Sequence, residues 1–249
     1  MIDIHTHVLP GVDDGSPNME MSLDMLELAA QSGVHTLVTT PHCNVPDEYD
    51  NYADEAMEKR WLALQAEAAR ARIPVKLCRG MEIFATEELP TLLEKRRVWT
   101  LNNTKYFLVE FSFREDPDFC RDVLRRCSAL GFRPIIAHPE RYYFVQDEPG
   151  IAYEFCVEGY GLQLNKGSIL GRFGRAPGQT ADLILRHGLC ACVASDAHRY
   201  NQRNTYMTEL RDYLEREFGE AYSRLLLEEN PSRILSGREL LGYEPIPIW

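Results

Sequence analysis

Seven short runs of β-branched and apolar residues, each followed by an amphipathic stretch, recur from one end of the chain to the other. The runs lie near Ile2 to His5, Thr36 to Thr40, Val75 to Cys78, Tyr106 to Glu110, Pro134 to Ala137, Gly161 to Leu164 and Cys190 to Ala194. Between them, Met57, Trp61, Leu64 and Ala68, and again Phe119, Val123, Cys127 and Leu130, follow the spacing of one helical face. Gly33, Gly131 and Gly188 stand where helices would stop, and Ser16-Pro17 reads as an N-cap followed by proline at the first helical position. Strands apolar on both faces need cover on both faces, which makes the sheet parallel. The number of repeats favours a closed or nearly closed sheet over an open one. The expectation is a single α/β domain over 1–249, a distorted TIM-like (β/α)7 barrel with its chemistry at the carboxyl ends of the strands.

That rule turns motif spacing into a map of the site. In IDIHTH, side chains two apart in a strand share a face, so His5 and His7 look one way and Ile4 and Thr6 the other. Two such imidazoles suit a chelate or a hydrogen-bonded core pair, and the other strand ends must decide. GVDDG brings Asp14, with Asp13 read as turn chemistry before the Asp-Gly step. TTPH brings His42, GMEI brings Glu82, LVEF carries Glu110, AHPER brings His138 and Arg141, and ASDAH brings Asp196 and His198. Five of the seven histidines thus fall at strand ends. The other two, His35 and His187, sit at helix exits, where an imidazole is structurally ordinary, and are assigned no chemistry. A carboxylate ending an apolar strand is costly unless paired or bound to a cation, and Glu82 and Glu110 both stand in that position. Histidine plus carboxylate without cysteine suits Mn, Fe, Zn or Co rather than a thiolate zinc site or an all-oxygen calcium cage. So many donors exceed what one ion can take, and two or three divalent ions are expected.

Charge and cysteine usage exclude several classes. A net charge of -11 argues against a nucleic-acid surface, which would need a basic stripe. Seven irregularly spaced cysteines and a start lacking basic and apolar leader regions fit a reduced, cytoplasmic chain. No apolar run approaches the roughly 20 residues that span a bilayer, so no membrane insertion is expected. Cys120 to Arg126 has the spacing of cysteine-dependent phosphatases, but CRDVLRR lies in an amphipathic helix without glycine and cannot cradle phosphate. Cys190 and Cys192 share a face of a buried strand and read as core.

HTH near the start, VDDG, TTPH, GMEI, the glutamate of LVEF, IIAHPERY and ASDAH, in that order across nearly the whole length, resemble the polymerase and histidinol phosphatase (PHP) family. Within it, the chain is similar to the bacterial manganese-dependent tyrosine-protein phosphatases of capsular and exopolysaccharide synthesis. The resemblance implies a trinuclear centre, with manganese as the first choice of metal. His5, His7, Glu82 and Asp196 would hold one ion, Glu82 would bridge to a second completed by Glu110 and His138, and Asp14, His42 and His198 would hold the third. It implies direct in-line hydrolysis of phosphotyrosine by a metal-bridging hydroxide. Arg141 would grip the phosphate bidentately, with Arg203 a second substrate-binding candidate. Metal-bound water, Asp14 or a histidine, His42 among them, would supply the proton that a tyrosinate needs on leaving. The implied partner is the tyrosine-rich tail of a bacterial tyrosine kinase that controls polysaccharide export; oligomeric state is left open.

Four competitors share features with this reading. A histidinol-phosphate or other small-molecule phosphatase would carry the same centre. A nuclease or proofreading domain conflicts with the acidic balance and with Asp47, Glu48 and Asp50 after His42. An amidohydrolase would usually place a modified lysine where this chain has Glu110. A non-enzymatic binding protein would hold metal without releasing phosphate.

Overall fold

A computed structural model describes residues 1–242 and 245–248. The single-domain expectation also takes in residues 243, 244 and 249, which lie outside the described residues. Among the described residues, nine strands are interspersed with helices: β1 (Ile2–Thr6), β2 (Thr36–Thr39), β3 (His42–Cys43), β4 (Lys76–Arg79), β5 (Glu82–Phe84), β6 (Tyr106–Glu110), β7 (Arg133–Ala137), β8 (Gly161–Asn165) and β9 (Cys190–Ala194). Every pairing between them is parallel. They form one sheet ordered β1-β2-β4 and another ordered β3-β5-β6-β7-β8-β9.

Two of the seven expected staves are therefore split, and backbone chemistry explains the breaks. Pro41 has no N–H to give a neighbour, and the hydrogen bonds around it change partner: Thr40 N donates to Thr6 O at 2.8 Å, and Pro41 O accepts from Glu82 N at 3.1 Å. One stave starts as β2 and resumes as β3; the next starts as β4, passes Gly80-Met81 and resumes as β5. Gly80 is required by close packing, since a Cβ there would stand 2.9 Å from Leu101 Cδ2 and 3.2 Å from Val38 Cγ1. Both resumed pieces begin with a predicted ligand, His42 in β3 and Glu82 in β5. Among the described residues, β1 and β9 meet through a single parallel bridge, Thr6 with Ala197, rather than through a continuous ladder. The result is an α/β fold of parallel sheets with a TIM-barrel-like topology.

The core has two layers. Ile4, Val38, Cys78, Leu108, Ile135 and Cys192, from six different strands, meet in one cluster that takes nothing from the long helices. The larger cluster packs the opposite strand faces against helices such as Met19–Gln31 and Pro117–Ala129, through Met25, Leu26, Val123 and Leu124. The first helix is capped by Asn18, whose side chain accepts from Met21 N at 2.9 Å, not by Ser16. Ser16 is instead buried, its hydroxyl 2.8 Å from Ser22 Oγ. Gly33, Gly131 and Gly188 adopt the left-handed conformation expected after helix ends. Among the described residues, no helix is long and apolar enough to cross a membrane.

Candidate metal centre

The carboxyl ends of the strands bring five imidazoles and four carboxylates together. His5 and His7 leave β1 with their Nε2 atoms 3.3 Å apart. Glu82, only 1% exposed, lies at their meeting point: its Oε2 is 3.1 Å from His5 Nε2, 3.2 Å from His7 Nε2 and 3.2 Å from His42 Nδ1. Its Oε1 lies 2.8 Å from His138 Nε2, which is also 3.8 Å from Glu110 Oε2. Asp196 Oδ1 faces His5 at 3.5 Å and His7 at 3.4 Å. Towards solvent, Asp14 Oδ1 lies 3.3 Å from His198 Nε2 and 3.6 Å from His42 Nε2. Three groups present donor atoms within 4.8 Å of one another: His7, Asp14, His42 and His198; His5, His7 and Asp196; and His42, Glu82 and Glu110. The structure thus gathers all nine residues expected as ligands.

These donors fit divalent cations. His42 Nδ1 is buried and makes no hydrogen bond, although Glu110 Oε1 stands 2.8 Å away. A ring nitrogen buried beside carboxylates without a hydrogen bond leaves its lone pair for another partner. The mixture of imidazole nitrogen and carboxylate oxygen belongs to Mn, Fe, Zn or Co. Electrostatics agree. Burial alone would raise the carboxyls of Glu82 and Asp196, yet His5 and the other cationic groups around them hold both well below the usual range. Burial would lower His42, but Glu82 and Glu110 push it up to about 9. His198 is pulled down to about 4 by burial and by the neighbouring His7.

Behind the ligands lies a layer of orienting groups that the sequence reading missed. Asp13 is not a solvated turn residue, because its side chain is fully buried. Its Oδ2 accepts from His7 Nδ1 at 2.8 Å and from His42 N at 3.0 Å, and its Oδ1 accepts from Gly15 N at 2.9 Å. His5 Nδ1 donates to Gln163 Oε1 at 2.7 Å, and His198 Nδ1 to Asp196 O at 3.1 Å. With Nδ1 committed as donor, each ring turns the lone pair of Nε2 towards the centre. Gly15 lets this loop close, as a Cβ there would fall 2.2 Å from His7 O. One signal was available: Gln163 and Asn165 alternate in GLQLN by the same two-residue rule that singled out IDIHTH.

Both candidate arginines reach Asp196, Arg141 Nη1 at 3.5 Å and Arg203 Nη2 at 2.6 Å from Oδ2. Their guanidinium carbons also sit over Phe173, at 5.1 and 5.5 Å from the ring centre. His138, Asp196 and Arg203 all have positive φ, of 35°, 48° and 45°. Three strained backbone positions cluster at the site, as is common where geometry serves chemistry. A cavity of about 260 Å³ opens beside His42, Asp14 and Glu110, walled by Tyr49, Phe84, Phe111 and Phe113. The Tyr49 ring stacks on His42 at 5.5 Å, nearly parallel.

The two histidines assigned no chemistry lie elsewhere: His35 Nε2 pairs with Glu228 at 2.9 Å, and His187 Nδ1 lies 3.2 Å from Ile246 O. Cys120 sits inside the helix Pro117–Ala129, and burial pushes its thiol up, as it does that of Cys43, so neither supplies a thiolate.

Residues 1–236 match the family model for capsular polysaccharide synthesis, CpsB/CapC. The tyrosine-protein phosphatase YwqE of Bacillus subtilis (strain 168) is 33% identical, over 100% of this chain and 96% of the relative. The tyrosine-protein phosphatase CpsB of Streptococcus pneumoniae is 29% identical, over 94% of this chain and 98% of its own. A crystal structure from the study of YwqE and CpsB, described there as unique metal-dependent tyrosine phosphatases, superposes with a TM-score of 0.93 at 32% identity and covers 100% of both chains. A lactonase from Listeria monocytogenes and a dihydropyrimidinase from Brevibacillus agri, each 12% identical with TM-scores of 0.54 and 0.53, share the fold alone.

Proposed function

The chain belongs to the CpsB/CapC family of capsular polysaccharide synthesis, and from that premise we propose how its centre works. It is a metal-dependent protein-tyrosine phosphatase, with several clusters of metal-ligating side chains. The observation that carries this reading is Glu82, a buried carboxylate surrounded by His5, His7, His42 and His138. An anion so placed is suited to bridging cations.

The finer assignments are these. Two or three divalent ions, manganese first, would be held by His5, His7, Glu82 and Asp196, by Glu82, Glu110 and His138, and by Asp14, His42 and His198. When bound, such ions activate a water for in-line attack and offset charge on the phosphoryl group. The chain's own residues do the rest. Arg141 and Arg203 grip phosphoryl oxygens, and their shared contact with Asp196 and Phe173 holds the guanidinium groups ready. Tyr49 and Phe113 flank the cavity where the phenyl ring of the substrate lies. Asp14 is kept ionised by the imidazoles of His198, His7 and His42, so at neutral pH it has no proton to give. A tyrosinate, with a pKa near 10, leaves with little help, so no side chain of the centre has to protonate it.

We read the whole as one domain, a distorted (β/α)7 barrel whose seam is the Thr6–Ala197 bridge. Seven unpaired cysteines support a reducing, cytoplasmic setting. The family's role in polysaccharide synthesis supports a tyrosine kinase as the protein substrate. The test is turnover of phosphotyrosine peptide, phosphoserine peptide and histidinol phosphate by one preparation, purified without chelator and analysed for metals. Release from phosphotyrosine dependent on added manganese is expected; preference for histidinol phosphate would replace the reading with a small-molecule phosphatase.

A further inference from the structure

A second cavity, of about 500 Å³, adjoins the centre, and Lys166, Arg172, Phe173, Asn201, Gln202 and Arg203 help line it. Among the described residues no carboxylate lines it, although the chain carries a net charge of -11. Lys166 is 2% exposed and commits its ammonium to neutral oxygens, Asn204 O, Asn204 Oδ1 at 3.1 Å and Tyr206 O at 2.9 Å. It ties down the 201–206 loop, and among the described residues no carboxylate stands within ion-pair distance of it. Arg203 gives Nη2 to Asp196, while its buried Nε has no hydrogen-bond partner. Arg172 pairs with Glu209 at the surface, where both side chains are about half exposed and the contact opens at little cost.

Phe173 lies beneath both Arg203 and Arg141, so this pocket and the metal centre share a wall. The cavity beside His42, by contrast, is lined by Asp14, Glu48 and Glu110. A peptide lying over the centre therefore meets cationic groups at one cavity and anionic groups at the other. Resting on the phosphotyrosine reading, we propose that the pocket lined by Lys166 and Arg172, next to the phosphoryl-gripping Arg203, receives an anionic group, carboxylate or phosphate, on a residue flanking the scissile phosphotyrosine. The pocket ranks substrates by the charge of their neighbours. It also makes the order in which clustered phosphates are removed depend on those still present.

Peptides that differ only at positions within three residues of the phosphotyrosine test this on the full-length, manganese-loaded enzyme. Alanine, lysine, glutamate and phosphoserine form the four arms, with formation of the dephosphorylated tyrosyl peptide followed by fluorescence. The glutamate and phosphoserine arms together establish which anion the pocket prefers. The expected result is a kcat/KM at least about 10-fold higher for the better anionic arm than for lysine. The preference should shrink at high salt, reverse in Arg172→Glu and persist in Arg172→Lys. Equal kcat/KM across the arms, or a preference that survives Arg172→Glu, overturns the subsite and leaves the phosphatase reading standing. No turnover of any phosphotyrosine peptide by a preparation that hydrolyses another phosphomonoester overturns both.

Discussion

Asp13 shows how one carboxylate can serve a metal site without touching the metal. It holds His7 in the tautomer that faces the centre and pins the backbone of His42 at the same time. Asp13→Asn keeps the size but weakens both bonds, and outer-sphere changes of this kind cost about 10- to 100-fold in metal affinity. Titration of the apoprotein with manganese should show that loss while circular dichroism stays unchanged; an unaltered affinity would remove Asp13 from the design. The sequence singled out Asp14 as the ligand but left Asp13 as turn chemistry, because the burial that makes Asp13 an orienting group is not visible in a DDG step. The ligands were legible because each imidazole or carboxylate interrupts an apolar strand end. His42 carries a second consequence. Raised from its ordinary 6.5 to about 9, its protonated form contributes stability to the metal-free protein in full below pH 6.5, and this is lost as pH climbs through 9. Ligation requires the neutral ring, so metal uptake between those values should release a proton. Calorimetric heats of manganese binding at pH 7.5 should vary with buffer ionisation enthalpy, and a heat independent of buffer would contradict the assignment.

At the level of elements, seven staves were visible in the alternation of apolar runs and helical stripes, and all seven have strands at those places. What sequence periodicity does not show is that two staves break. A proline and a glycine stand just past the ends of two runs, and the hydrogen-bond partners on either side decide what happens there. The cap of the first helix was misplaced for a similar reason: Ser16 and Asn18, on either side of Pro17, offer alternative starts, and burial of Ser16 left Asn18 free to act. The Gly80 break is directly testable. Gly80→Ala adds a methyl against Leu101 and Val38, and overpacking of this kind costs about 1–3 kcal/mol. Thermal denaturation should show the loss; a variant as stable as the wild type would mean that Leu101 swings aside.

For the whole molecule, the dominant electrostatic fact is a nest of buried imidazoles and carboxylates inside a chain that is otherwise strongly acidic. Such a nest is expensive without cations, which tie folding to metal content. Dialysis against chelator should abolish phosphatase activity and lower the midpoint of thermal unfolding, and manganese should restore both; an unshifted midpoint would mean that the ions serve catalysis alone. His5 and His7 come from the three-stranded sheet, whereas His42, Glu82 and Glu110 come from its six-stranded companion, so a ligand cluster straddles the line along which the two sheets part. The ions then act as rivets through a hinge: drained of them, the chain should breathe along that line first, with amide exchange quickening at residues 39–42 and 79–82 before the outer helices loosen.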